Sequence, residues 1–118
     1  MLRIRQEQME ALSAVMRTAF VRRVVARLRT DFTSEMEKLC LHDADLTPTV
    51  ERIIDKAATY SVRNEQDVEL FMDCAMMLGL EFDQDPSFPW ARSILQRNDL
   101  TGTEKMSLIH DYLLFATE

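Results

Sequence analysis

The sequence predicts an all-α protein, a compact bundle of about five to six helices formed by one domain over residues 1–118. Three observations lead to this expectation. Glycine and proline are scarce, with 2 and 3 residues, and apolar residues make up 47% of the chain, which argues against disorder and against a turn-rich β fold. Apolar residues recur at three- and four-residue spacing in several segments. Capping signals separate these segments, and the connections between them are short.

The first predicted helix is long and extends from about residue 6 to about residue 29. Its apolar stripe consists of Met9, Leu12, Met16, Phe20, Val24 and Leu28. Repeated steps of four rotate this stripe around the helix axis, because four residues advance the chain by slightly more than one turn. The two halves of the stripe therefore cannot face the same neighbour, and we expect the first half to contact something other than the core.

Capping signals place the next two helices. Ser34 and Glu37 have the spacing of a capping box, which predicts a short second helix ending near Leu41. Thr47 followed by Pro48 predicts an N-cap with proline in the first turn of a third helix. The polar residues between these two segments are expected to form a connection.

The fourth predicted helix begins after Asn64 and is ended by Gly79. It is apolar nearly all round, and only Glu65, Glu69 and Asp73 form a polar strip, which we expect to be solvated. Because such a helix is usually buried, we place it at the centre of the fold. Its methionines are expected to fill the core: Met72, Met76 and Met77.

An acidic turn follows, and then two helices complete the fold. Pro89 predicts the start of a short fifth helix. Thr101 and Glu104 form a capping box at the start of the last helix.

No pattern predicts a metal or cofactor site. The zinc-binding residue types are scattered along the chain as Cys40, His42, Cys74 and His110. The Asp83–Asp85 pair lacks the glycine and the final glutamate of a calcium loop, so no metal and no cofactor is expected. Two cysteines without an export signal are expected to remain free thiols.

Enzymatic activity is not expected either. The chain contains no nucleophile elbow, phosphate-binding glycine loop or metalloprotease motif. Only two histidines could act as a base, and His110 points away from its neighbour Asp111 if both lie on a helix.

Charge is distributed unevenly along the chain. Residues 1–30 hold seven arginines and two glutamates, whereas residues 31–118 hold seven basic and eighteen acidic residues. The net charge of the whole chain is -6. The arginines flank both sides of the apolar stripe and do not share one face, which disfavours nucleic-acid binding. The N-terminus lacks the apolar run of a secretory signal and no segment could span a bilayer, so we expect a cytoplasmic protein without membrane contact.

Three segments together resemble a group of short, mostly uncharacterised bacterial proteins, often encoded beside type VI secretion spike and toxin genes. The segments are the Arg-rich stretch from Phe20 to Arg29, Asp67-Val68-Glu69-Leu70-Phe71-Met72, and Leu78-Gly79-Leu80-Glu81-Phe82-Asp83-Gln84-Asp85-Pro86. The resemblance implies an accessory role near a secreted toxin, as adaptor, chaperone or partner subunit, and it transfers no catalytic residue.

These observations favour a non-enzymatic protein-binding domain, an adaptor or chaperone for a secretion-associated effector or spike component. The expected partner-binding residues lie on the first helix: Met9, Leu12, Met16, Phe20, Arg17 and Arg23. One alternative is an immunity protein that blocks a toxin through the acidic surface of Glu81, Asp83 and Asp85. A nucleic-acid-binding domain is a further alternative, and a homodimer through the first helix would use the same stripe.

Overall fold

The computed structural model describes the backbone of residues 6–116 and the side chains of residues 15–114. Within the described backbone the chain forms six α-helices and no strand, which confirms the all-α bundle. The helices are α1 (Gln6–Asp31), α2 (Thr33–Lys38), α3 (Asp43–Thr59), α4 (Glu65–Leu78), α5 (Pro89–Leu95) and α6 (Gly102–Ala116). Among the described helices, none combines the length and the hydrophobicity needed to cross a membrane.

Helix α4 lies at the centre of the bundle, as its composition predicts. It packs against α2, α3 and α6, while α1 lies along α3 and α2, and α5 packs on α6. Phe71, Met72 and Ala75 of α4 are almost completely buried. They share one hydrophobic core with α1 and α3 side chains, for example Leu28 and Val50. Burial of this continuous apolar surface is the main stabilising contribution to such a fold.

Several predicted helix ends are confirmed by their hydrogen bonds. The Asn64 side chain accepts a hydrogen bond from the backbone N–H of Asp67 at 2.9 Å and caps α4. Thr101 and Glu104 form the reciprocal bonds of a capping box at the start of α6. Helix α5 begins at Pro89, and Gly79 ends α4 with a φ of 120°, a conformation that glycine adopts readily.

The predicted start of α3 is wrong. The helix begins at Asp43 rather than at Pro48, so the residues expected to form a connection are its first turn. The Asp45 side chain accepts a hydrogen bond from the backbone N–H of His42 at 3.0 Å. Two acidic residues, Asp43 and Asp45, lie in the first turn, where the helix dipole favours negative charge. Pro48 is therefore inside the helix, where its missing N–H leaves the carbonyl of Ala44 without its usual intrahelical hydrogen bond.

Helix α2 also differs from the prediction. Its N-cap is Phe32 rather than Ser34, and it ends at Lys38 rather than near Leu41. Cys40 has a φ of 56° and lies in a left-handed turn, in which the N–H of Leu41 bonds to the carbonyl of Met36. This turn is a Schellman motif, and it ends the helix earlier than the apolar pattern indicates.

A tightly packed corner joins the end of α3 to the starts of α4 and α6. Lys105 is buried, and its Nζ donates to the backbone carbonyl of Tyr60 at 2.8 Å. The Thr103 hydroxyl donates to Oδ2 of the buried Asp67 at 2.6 Å. Gly102 lies directly against the backbone of Ser61, at a distance that leaves no space for a Cβ atom. These contacts hold α6 against the end of α3 and the start of α4.

Candidate partner-binding surface

The apolar stripe of α1 leaves the core between Phe20 and Met16. Phe20 is only 4% exposed and belongs to the core, whereas Met16 is 59% exposed and its neighbour Val15 is 71% exposed. Met9 and Leu12 lie outside the residues whose side chains are described. The stripe is therefore divided as expected, but Phe20 belongs to its buried half. Little of its side chain is open to a partner, although it lines a cleft at this boundary.

A cleft of about 260 Å³ adjoins this boundary and lies between α1, α3 and α4. Its floor is apolar and consists of Phe20, Ile54 and Val68. Its rim consists of Met16, Arg17, Arg63 and Glu65. We call this feature the Phe20 cleft. It brings three of the sequence-predicted contact residues together with residues of α3 and α4 that the sequence did not single out.

Arg17 stands at the rim and is fixed by α3. Its guanidinium donates to the Asp55 carboxylate at 2.9 Å and to the backbone carbonyl of Glu51 at 3.2 Å. Both side chains of this ion pair are substantially exposed to solvent, so the pair contributes little to stability. Its main effect is to hold the Arg17 side chain against α3 rather than free in solvent.

Arg23 and Arg27 bind the acidic strip of α4. Arg23 contacts the Glu69 carboxylate at 2.7 Å and Glu65 at 3.2 Å, and these hydrogen bonds raise the pKa of its guanidinium. Arg27 contacts Asp73 at 2.6 Å. Burial raises the pKa of the Asp73 carboxyl, although the Arg27 hydrogen bond opposes that shift. The strip expected to be solvated is therefore a half-buried row of ion pairs between α1 and α4.

This pairing neutralises much of the basic cluster on α1. Arg17, Arg23 and Arg27 all bind carboxylates, and Arg29 binds Asp43 at 3.1 Å. The expectation that arginines flank the core and pair with acidic neighbours is confirmed at these positions. Nucleic-acid binding requires basic side chains that are available to phosphates. Most of the arginines that motivated the nucleic-acid alternative are therefore bound to carboxylates within the fold, although Arg22 is exposed.

The acidic turn is more buried than the sequence suggests. The Asp83 side chain is fully buried, accepts a hydrogen bond from the Tyr60 hydroxyl at 2.7 Å and pairs with Lys56 Nζ at 3.1 Å. Lys56 also pairs with Glu81 at 2.7 Å. Asp85 accepts a hydrogen bond from the backbone N–H of Ser87. The surface proposed for toxin blocking therefore loses Asp83, because that carboxylate anchors the turn to α3.

Lys56 and Tyr60 are structural residues that sequence reasoning missed. Lys56 lies in the last turn of α3 and Tyr60 is its C-cap residue, and the spacing of four residues places both side chains on the same side. That spacing is the signal that could have suggested a shared acidic partner, but the sequence does not indicate which carboxylate it would be. The buried Asp83 and the partly buried ring together raise the pKa of Tyr60 to about 12, mainly through desolvation.

The residues considered for metal binding do not converge. Cys40 is exposed and Cys74 is buried, and both are free thiols, as predicted. Cys74 and His110 line the same cavity of about 130 Å³ between α4 and α6, together with Met77 and Met106. Within the part of the chain that the structure describes, no group of three or more histidine, cysteine or acidic side chains could hold a metal ion. Burial raises the pKa of the Cys74 thiol to about 12.

Met77 is a further correction to the sequence analysis. It was expected to fill the core with Met72 and Met76, but it is 53% exposed, whereas those two are buried. Met77 lines the cavity between α4 and α6. Met77 therefore provides an exposed apolar residue outside the Phe20 cleft.

No family model, no curated protein and no solved structure matches this chain.

Proposed function

We propose that this protein is a non-enzymatic, cytoplasmic accessory protein that binds another protein, as adaptor or chaperone for an effector or spike component of a type VI secretion system. The observation that carries the proposal is the uncovered apolar surface formed by Val15 and Met16 beside the Phe20 cleft. The assignment to a secretion system is based on the resemblance of the three segments described above.

The position of this surface supports recognition by α1. Met16 lies one turn before the buried Phe20 on a continuous helix, so the apolar stripe continues after the core has ended. An amphipathic helix with an uncovered apolar face is a common means of docking to a groove on another protein. Methionine suits such a contact, because its flexible side chain adapts to the surface that it meets.

The size of the cleft suits a contact with another protein. Its volume of about 260 Å³ lies below the roughly 300–1,000 Å³ typical of small-molecule pockets. The space fits one large side chain of a partner. The arginines and the glutamate at the rim are arranged around an apolar floor, which is the usual anatomy of a protein interface with an apolar centre and a polar rim.

Co-expression with spike and toxin proteins of a type VI secretion system tests this proposal. A tagged chain should co-purify with one of them in a fixed ratio, and the partner should become more soluble. Replacing Val15 and Met16 together by Asp should weaken binding at least about tenfold, because it places two charges in an apolar contact. Replacing the exposed Met77 by Asp is the matched control and should leave binding unchanged.

Circular dichroism and thermal unfolding must show that both variants remain folded. Equal loss of binding in the Met77→Asp control, or no co-purification with any of these proteins, would overturn the proposal. Protection of cells from the toxin without any gain in its solubility or secretion would indicate an immunity protein instead. An affinity for DNA or RNA that falls steeply with salt would indicate the nucleic-acid alternative.

A further inference from the structure

We infer that the Phe20 cleft receives a protein segment in which one large apolar side chain lies within about one turn of a carboxylate. This inference rests on the proposed function and specifies the chemistry of the partner. It follows from two properties of the cleft, namely its apolar floor and the imbalance of charge at its rim.

The floor determines the apolar part of the ligand. Phe20, Ile54 and Val68 come from three different helices and converge on one depression. Phe20 and Val68 are almost completely buried and belong to the core, so the floor is held in place by packing. A preformed apolar depression of this size binds a single aromatic or branched side chain, which gains by leaving water.

The rim determines the charge of the ligand. Arg17 is already bound by Asp55 and by the Glu51 carbonyl. Glu65 is bound by Arg23. Arg63 is exposed and makes no ion pair with any residue whose side chain is described. One positive charge at the rim is therefore left for a partner.

A guanidinium recognises a carboxylate through two parallel hydrogen bonds, which gives direction as well as attraction. Arg63 thus selects an acidic group beside the apolar anchor and disfavours a basic one. The contact is exposed, so its contribution to affinity is expected to be modest, up to about fivefold.

We assign the segment to a different protein rather than to a second copy. In this chain the segment around Phe82 and Asp83 has the required chemistry, but both side chains are buried. The exposed Tyr112 beside Asp111, and Phe115 with Glu118 near the C-terminus, have it too. Insertion of such a segment into the cleft of another copy would be a head-to-tail contact, and such contacts extend into rings or open filaments. A segment of a partner protein satisfies the charge complementarity with Arg63 without such extension.

Titration of the full chain with phenylacetate, monitored by two-dimensional NMR, tests the inference. This probe combines an aromatic ring with a carboxylate, and phenethylamine is the matched probe with the opposite charge. We expect shifts at Ile54 and Val68 and an affinity about three- to fivefold higher for phenylacetate. Arg63→Ala should abolish this preference, whereas Arg52→Ala, an exposed arginine of α3 outside the cleft, should retain it.

Equal affinities for the two probes, shifts confined to other surfaces, or a preference that survives Arg63→Ala would each overturn the inference. Binding measurements with the effector distinguish failure of this inference from failure of the proposed function. If Arg63→Glu leaves effector binding intact while Val15→Asp with Met16→Asp abolishes it, the protein-binding function stands and the partner chemistry is wrong. A molecular mass that rises with concentration, and no longer does so in Arg63→Glu, would show that a second copy occupies the cleft.

Discussion

Replacing Gly102 by alanine should destabilise the protein, although helix propensity favours the opposite. Gly102 is the first residue of α6, and alanine is preferred over glycine inside helices by roughly 0.5–1 kcal/mol. A Cβ at this position would overlap the backbone carbonyl oxygen of Ser61 and lie 2.9 Å from the Ser61 carbonyl carbon and 3.0 Å from the Cα of Val62. Backbone atoms cannot move aside as a flexible side chain can.

Overpacking of this kind costs about 1–3 kcal/mol or more, which exceeds the gain in propensity. The bonds from Thr103 to Asp67 and from Lys105 to Tyr60 would be strained as well, because both depend on the close approach of α6. We therefore expect a net loss of at least about 1 kcal/mol in the free energy of unfolding, or about 4 °C in the midpoint.

Urea and thermal unfolding followed by circular dichroism measure this loss. Ser107→Ala, at an exposed position of the same helix, is the control and should stabilise the protein by a few tenths of a kcal/mol. An unchanged or higher stability of Gly102→Ala, with the same dependence on urea, would refute the close contact between α6 and the α3–α4 corner.

Three further predictions concern single residues. Cys40 should react quickly with a thiol reagent in the native protein, whereas Cys74 should react only after unfolding, because it is buried and its thiol pKa is raised to about 12. Near-ultraviolet absorbance should show phenolate formation at Tyr60 only near pH 12. Because that pKa is raised above its usual value of 10.0, the stability it contributes is complete below about pH 10 and is lost as the pH rises towards 12. Ser61→Gly should stabilise the protein by about 0.5–1 kcal/mol in urea unfolding, since Ser61 has a φ of 68°.

Specific results would contradict each of these. Two rapidly reacting thiols in the folded protein would show that Cys74 is accessible. A Tyr60→Phe variant with the same alkaline titration as the wild type would show that Tyr60 is not the late-titrating group. A Ser61→Gly variant that is less stable than the wild type would mean that the left-handed turn after α3 is not strained.

Sequence patterns predicted those parts of the fold whose causes are local. The caps at Asn64 and Thr101 and the start at Pro89 each depend on residues at most a few positions apart, so spacing alone identifies them. The burial of α4 followed from its composition. The start of α3 was misjudged because two local signals compete there, and the first turn with Asp43 and Asp45 prevails over the Thr47–Pro48 pair.

Other features depend on residues far apart in the chain, and only the tertiary structure decided them. The stripe of α1 shows that the helix has an apolar face, but where the core ends, between Met16 and Phe20, depends on how far α3 and α4 extend beside it.

The pairing of charges also depends on residues that are far apart in the chain. Composition determines that α1 is basic and that the rest of the chain is acidic. Whether a given charged side chain is paired or available depends on the side chain that it contacts across the bundle. Arg23 pairs with Glu69, and Lys56 pairs with Asp83. The sequence by itself thus determined the helices, their order and the existence of an apolar stripe on the first helix. The tertiary structure decided which of its residues are core, which are neutralised, and that Arg63 is left at the rim of an apolar cleft, because these properties arise from contacts between helices.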